Sequence, residues 1–129
     1  MSTFRTLCLV VFALLFAGIA QAQPIQPFTT AALKAAQAAG QPVLVDAYAS
    51  WCPICRKQAP TIDAMSNDPA YAKLVILRLD YDNQSAEKRA LGITQQSTLI
   101  AFHGTRETGR LVGVTDPDQI KSLAKSTLP

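Results

Sequence analysis

The segment Val43-Leu44-Val45-Asp46-Ala47-Tyr48 is apolar at both alternating sets of positions, and it leads within a few residues into Cys52-Pro53-Ile54-Cys55. A strand that is apolar on both faces must be covered on both faces, which calls for a sheet with helices packed on each side of it. This narrows the chain to an α/β architecture. Pro53 suits the first position of a helix, because the N–H it lacks is one that a helix start leaves unused. The buried strand therefore runs into a helix that opens with the two cysteines.

The remaining segments arrange themselves around that strand. Thr29 or Thr30 caps a helix over Ala31 to Ala39, closed by Gly40. The helix after Pro53 is predicted to carry Ile54, Gln58, Ile62 and Met65, with a kink at Pro60. Leu74 to Asp80 reads as a second buried strand, and Ser85 to Leu91 as a short helix closed by Gly92. Thr98 to His103 and Arg110 to Val114 are short apolar runs joined by Gly104 to Gly109, which predicts an antiparallel hairpin. Asp116 caps a last helix with Pro117 at its first position and Gln119 at the capping-box position, and Ile120, Leu123, Ala124 and Leu128 form its inward stripe. The predicted fold is a mixed central sheet of four strands with helices on both faces.

The front of the chain has a different character. Leu7 to Ile19 runs thirteen residues without a charge, after Arg5 and before Ala20-Gln21-Ala22, which is the make-up of a secretory signal. An uncleaved anchor is the alternative, but a stable span needs about 20 apolar residues, and Gln21, Gln23 and Gln26 interrupt it early. Cleavage after Ala22 leaves 107 of the 129 residues, 23 to 129, as one domain, exported to the periplasm or secreted. With 49% apolar and 16% charged residues, a single core is expected. The formal net charge of +3 falls to about +2 without Arg5, and no basic run exceeds the pairs Arg56-Lys57 and Lys88-Arg89. Nucleic-acid binding is excluded on that ground, and the exported form is expected to be a soluble monomer.

Cys8 departs with the signal, so Cys52 and Cys55 are the cysteines that reach an oxidising compartment. A disulfide stabilises chiefly by closing a long loop in the unfolded chain, and a loop this short closes almost nothing. Chemistry is the better reason for the pair. With Cys52 as N-cap, its sulfur faces the free N–H groups and positive end of the helix, which favours the thiolate and marks it as the nucleophile. Cys52 is placed at the exposed lip, with Cys55 turned inward as the resolving thiol. Asp46 is a carboxylate inside an apolar strand, a placement that needs a partner or a function. It is expected to exchange a proton with Cys55, directly or through a water; the competing reading is a buried ion pair with Arg78 or Lys57. Trp51 is expected at the rim of the site, and Tyr48 in the core.

Two thiolates at this spacing are also half of a zinc site or a soft pair for Cu(I). His103 is the only further strong ligand candidate, next to the hairpin turn where solvation is its ordinary state, so no metal is assigned. A third reading is an interaction domain without catalysis.

The run from Val43 through Asp46, Trp51, Cys52 and Cys55 to Pro60 resembles the active-site strand and kinked helix of the thioredoxin superfamily. Leu77-Arg78-Leu79-Asp80-Tyr81-Asp82, Leu91-Gly92-Ile93, Ser97-Thr98-Leu99-Ile100-Ala101-Phe102 and Val112-Gly113 resemble its later strands and turns. The length leaves no room for the helical insertion of periplasmic disulfide-donating oxidases, so a small thioredoxin-like protein is the nearer likeness. Two positions depart from that pattern. Family members carry a cis-proline before the Thr of the third strand, where this chain has Gln96-Ser97-Thr98. A cis bond there would cost about 3 to 4 kcal/mol, so a trans peptide is expected, with a hydroxyl near the sulfurs. Pro53-Ile54 stands where thioredoxin has Gly-Pro, and this pair tunes the helix start and the potential.

The resemblance implies a thiol:disulfide oxidoreductase cycling Cys52 and Cys55 between dithiol and disulfide, with no further cofactor. Protein thiols and disulfides are its implied substrates, contacted by Trp51, Pro53, Ile54, Ser97 and Thr98. The expected direction is reduction, which in an oxidising compartment implies a membrane-embedded thiol donor of electrons.

Overall fold

The computed structural model describes residues 23–129. The export signal expected at 1–22 lies outside the described residues. Strand β1 (Gln26–Pro27) is followed by α1 (Thr30–Ala38), β2 (Pro42–Tyr48), α2 (Pro53–Ser66), a 3-10 turn (Pro69–Tyr71), β3 (Val75–Asp80), α3 (Ser85–Ala90), β4 (Thr98–His103), β5 (Arg106–Val112) and α4 (Pro117–Lys125). The strands form one sheet in the order β1-β3-β2-β4-β5, in which β1, β3 and β2 are parallel, β4 is antiparallel to β2, and β5 is antiparallel to β4. Five strands are present where four were expected. The extra one is two residues of the Pro-containing lead, too short to carry a periodic signal, which pair with Leu77 and Arg78.

Alternation along β2 explains the two cores. Val43, Val45 and Ala47 face one side, where they meet Leu33 and Ala36 of α1 together with Phe28, Leu77, Leu79 and Ile100. Leu44 faces the other, against Ile62 and Met65 of α2, Ile120, Leu123 and Ala124 of α4, and Ile76 and Leu99. Asp46 shares the parity of Leu44, so the strand carries it on the face covered by the cysteine helix.

Caps were legible and form as expected. Thr29 Oγ1 accepts from the Ala32 N–H at 2.9 Å, and Asp116 Oδ1 accepts from Asp118 and Gln119 N–H at 2.8 and 3.2 Å. Pro60 lies inside α2, which continues to Ser66. The hairpin departs from expectation: β5 begins at Arg106, and the turn is only Gly104-Thr105, with Gly104 at φ 58°. Its first half is polar and lies at a sheet edge, so it carries no apolar pattern. A bulge between Ala101 and Phe102 sets Gly109 and Glu107 opposite them. Gly109 passes beneath α4, where an added Cβ would meet Leu123 Cδ1 at 2.8 Å. α4 ends at Lys125, so Leu128 lies beyond the stripe assigned to it, and Thr127 is buried instead.

Candidate active site

Cys52 is the N-cap of α2, in an extended conformation, and its Sγ accepts the Cys55 backbone N–H at 3.0 Å. Pro53 holds the first helical position and the Arg56 N–H closes the turn onto the Cys52 carbonyl at 3.1 Å. Both thiols are free. Cys52 is 1% exposed, as is Cys55, which corrects the expected exposed lip. The sulfurs pack with Ala49 beneath Tyr48 and Tyr81, while Trp51 and Ile54 stand 53% and 38% exposed around them. Ile54 therefore faces outward; Tyr48, expected in the core, is half-buried against the cysteines rather than in the main cores.

The two thiols are in different environments. Burial pushes the Cys55 thiol up to about 11, helped by its hydrogen bond and charge interaction with Cys52, with the backbone N–H groups of Ala49 and Ser97 acting in the opposite sense. Cys55 Sγ also faces the Ala47 carbonyl at 3.8 Å. Such an arrangement keeps the Cys55 sulfur protonated at neutral pH while the Cys52 sulfur accepts an N–H.

Asp46 is 1% exposed and Arg78 is its register partner on β3, with Arg78 Nε 2.9 Å from Asp46 Oδ2. The ion pair weighed from the sequence thus forms with Arg78 rather than Lys57. Burial, the largest influence, raises the Asp46 pKa above its ordinary value, and the Arg78 charge and hydrogen bond counter it. Asp46 Oδ1 and Arg78 Nη2 are buried without hydrogen-bond partners. Arg78 also lies over the Tyr48 ring, 4.6 Å from its centroid, and approaches Asp63 of α2 at 3.8 Å. A cleft of about 520 Å³ at the β1 edge is lined by Pro27, Tyr48, Ser50, Arg78 and Asp82 among others, which brings solvent to the outer side of the pair.

Ser97 leads into β4 with φ 61°, a left-handed conformation that few non-glycine residues adopt. The described peptide bonds are all trans, as expected for Gln96–Ser97. The Ser97 N–H donates to the Ala47 carbonyl at 2.9 Å, and its carbonyl accepts from Gly113 N–H at 3.1 Å and Gln58 Nε2 at 3.2 Å. Its hydroxyl was expected near the sulfurs and is instead turned onto the Gln96 carbonyl. Thr98 is buried, with Oγ1 donating to the Gln95 carbonyl at 2.7 Å.

Trp51 Nε1–H donates to both carboxylate oxygens of Asp82, at 3.1 and 3.0 Å, so its ring is fixed at the rim. Asp82 and Gln58 carried no signal that sequence reasoning used for the site. Val112, 46% exposed at the end of β5 and paired with Thr98, extends the apolar rim. His103 closes the far end of β4, about 17 Å of strand from Thr98, and its Nδ1–H donates to the Thr127 carbonyl at 2.7 Å. It is a half-buried, bonded residue rather than a solvated one. Among the described residues, no three His, Cys, Asp or Glu side chains are grouped so as to hold a metal ion.

Comparison with known proteins places this geometry. The thioredoxin family model matches residues 25–126. The chain is 35% identical over 81 residues to a thioredoxin of Chlamydia muridarum, covering 63% of this chain and 78% of that one. To a thioredoxin of Alicyclobacillus acidocaldarius it is 32% identical over 88 residues, covering 68% and 83%. The crystal structure of Trxlp from Edwardsiella tarda superposes with a TM-score of 0.75 at 36% identity, over 78% of this chain and 98% of the other. The chain belongs to the thioredoxin family and is a thiol-disulfide oxidoreductase.

Proposed function

We propose that the protein is exported and reduces protein disulfides through Cys52 and Cys55. The Cys52 thiolate attacks one sulfur of a substrate disulfide, forming a mixed disulfide and releasing the other sulfur as a thiolate. Cys55 then gives up its proton to the Asp46 carboxylate, through a water, and attacks Cys52 Sγ. The mixed disulfide breaks, the substrate leaves as a dithiol after taking up two protons, and Cys52–Cys55 remains as the disulfide. No other cofactor takes part. An electron donor, proposed as a membrane-embedded thiol, returns the pair to the dithiol.

The carrying observation is the asymmetry of the two sulfurs: the Cys55 N–H is donated to Cys52 Sγ at 3.0 Å, while burial pushes the Cys55 thiol up to about 11. A thiol held protonated until its proton is taken suits the resolving role. Reduction is the proposed direction, and the potential of the pair decides it. Trp51, Pro53 and Ile54 are exposed around the cysteines and form the substrate contact together with the Ser97 backbone, with Thr98 holding the loop from beneath.

The Cys55→Ser variant tests the roles. Incubated with a peptide carrying one disulfide, it should accumulate a covalent adduct whose tryptic map places the peptide on Cys52. Adduct formation in Cys52→Ser but not in Cys55→Ser would overturn the assignment. Export is tested by the N-terminus of the mature protein, expected at Gln23 in the extracytoplasmic fraction of a cell producing the full chain. The exported form is proposed to be monomeric.

A further inference from the structure

Gln58 is fully buried on α2, one turn beyond Cys55, on a helix face that otherwise carries Thr61, Ile62 and Met65 into the core. Its Nε2 donates to the Val114 carbonyl at 2.8 Å and to the Ser97 carbonyl at 3.2 Å, while Oε1 is buried without a partner. Two facing carbonyls fix the orientation of the amide, since only its NH2 end can donate to both. An orphaned buried acceptor is costly, and an apolar residue of this size would avoid that cost. The side chain is better suited to holding those two carbonyls than to filling the core.

Ser97 precedes β4 and Val114 follows β5, so both lie at the cysteine end of the sheet. The Ser97 carbonyl takes a second hydrogen bond from Gly113, and its N–H is committed to Ala47. A serine in the left-handed region is not kept there by its own backbone preference. The surrounding hydrogen bonds keep it, and Gln58 supplies the one that comes from the cysteine helix.

We infer that Gln58 is a positioning residue: its amide ties the turns at Ser97 and Val114 to the helix that carries Cys52 and Cys55, and so fixes the surface on which a substrate disulfide docks. The inference rests on the proposed contact between substrate and the Ser97 backbone.

Two variants of the purified protein test it, with kcat and KM measured on a peptide containing one intramolecular disulfide, alongside the thermal midpoint. Gln58→Met keeps the volume and removes both donors together with the orphaned acceptor. KM should rise about five- to tenfold, the factor that loss of the bond to the Ser97 carbonyl at the docking surface produces, with kcat within about twofold of the parent. The midpoint should stay within about 5 °C. In Gln58→Glu, the protonated carboxyl can still donate to one carbonyl, whereas the ionised form sets negative charge against two carbonyl oxygens. The ratio of its KM to that of the parent should therefore climb as pH rises through the titration of that carboxyl.

An unchanged KM in Gln58→Met, or a loss of kcat/KM that only follows loss of folded protein, overturns the inference. Should Gln58→Met fail to fold, a flat KM ratio across pH in Gln58→Glu overturns it equally. Amide shifts of Ser97 and Gly113 in the mixed disulfide of Cys55→Ser with the same peptide separate the two claims. If the shifts do not move, the docking surface is misplaced and the inference falls with it. If they move and KM in Gln58→Met is unchanged, the docking surface stands and the inference alone is overturned.

Discussion

Arg78 Nε lies 2.9 Å from Asp46 Oδ2 across the register pair that joins β2 to β3, and Asp46 Oδ1 is buried beside it without a partner. Burial outweighs the ion pair, so the folded protein binds the Asp46 proton more tightly than the unfolded chain does. Between the unfolded and the raised folded value the native state therefore carries more bound protons, and stability falls as pH rises through that window. Asp46→Asn should abolish this fall. Its stability relative to the parent should improve steadily from the ordinary carboxylate range upward, as read by chemical denaturation at a series of pH values. A parent curve that rises with pH where the variant curve is flat would show that the ion pair, not burial, dominates.

The unpartnered oxygen has a kinetic counterpart. With Asp46→Asn no carboxylate remains to accept the Cys55 proton, so resolution of the mixed disulfide should slow by about 10- to 100-fold, at or below the low end of what a positioned base contributes because solvent can substitute. Attack by Cys52 should be unaffected. Rapid acid quenching would then catch a mixed disulfide in the variant that the parent does not accumulate, and equal resolution rates in the two proteins would remove Asp46 from the chemistry.

At the far edge of the sheet, on the same face, Gly109 runs under α4, an added Cβ falling 2.8 Å from Leu123 Cδ1. Gly109→Ala should cost about 1 kcal/mol, the low end for overpacking, because the contact is with a side-chain methyl that can turn. For a domain of this size that lowers the thermal midpoint by roughly 4 °C or more. Turnover at 25 °C should be retained, since the contact is remote from the cysteines. An unchanged midpoint would mean that Leu123 moves aside freely.

The legibility of the fold followed the range of the interaction involved. Thr29, Pro53, Asp116 and Pro117 act on residues within a turn of themselves, so their helix starts could be read directly, and the two-sided apolar pattern of Val43 to Tyr48 required a covered sheet. Strand β5 was cut short at its start because Arg106, Glu107 and Thr108 are polar and lie on an edge strand, where no burial imposes alternation. β1 was missed because two residues hold no pattern at all. At the site, the cysteines were legible from spacing and helix position, but their depth was not: the exposed lip assigned to Cys52 is filled by Trp51 and Ile54. Gln58 was read only as one of the residues that the helix carries. Its role depends on carbonyls 39 and 56 residues away in the chain, a separation that no local pattern encodes.

The account stands most directly on the Cys52–Cys55 couple. Equilibrating the protein with defined thiol and disulfide buffers, then alkylating and reading the mass shift of the peptide containing both cysteines, gives its potential. A reversible two-electron couple below about −230 mV is the predicted result; a value above about −180 mV would make the protein a disulfide donor and contradict the proposed direction of electron flow.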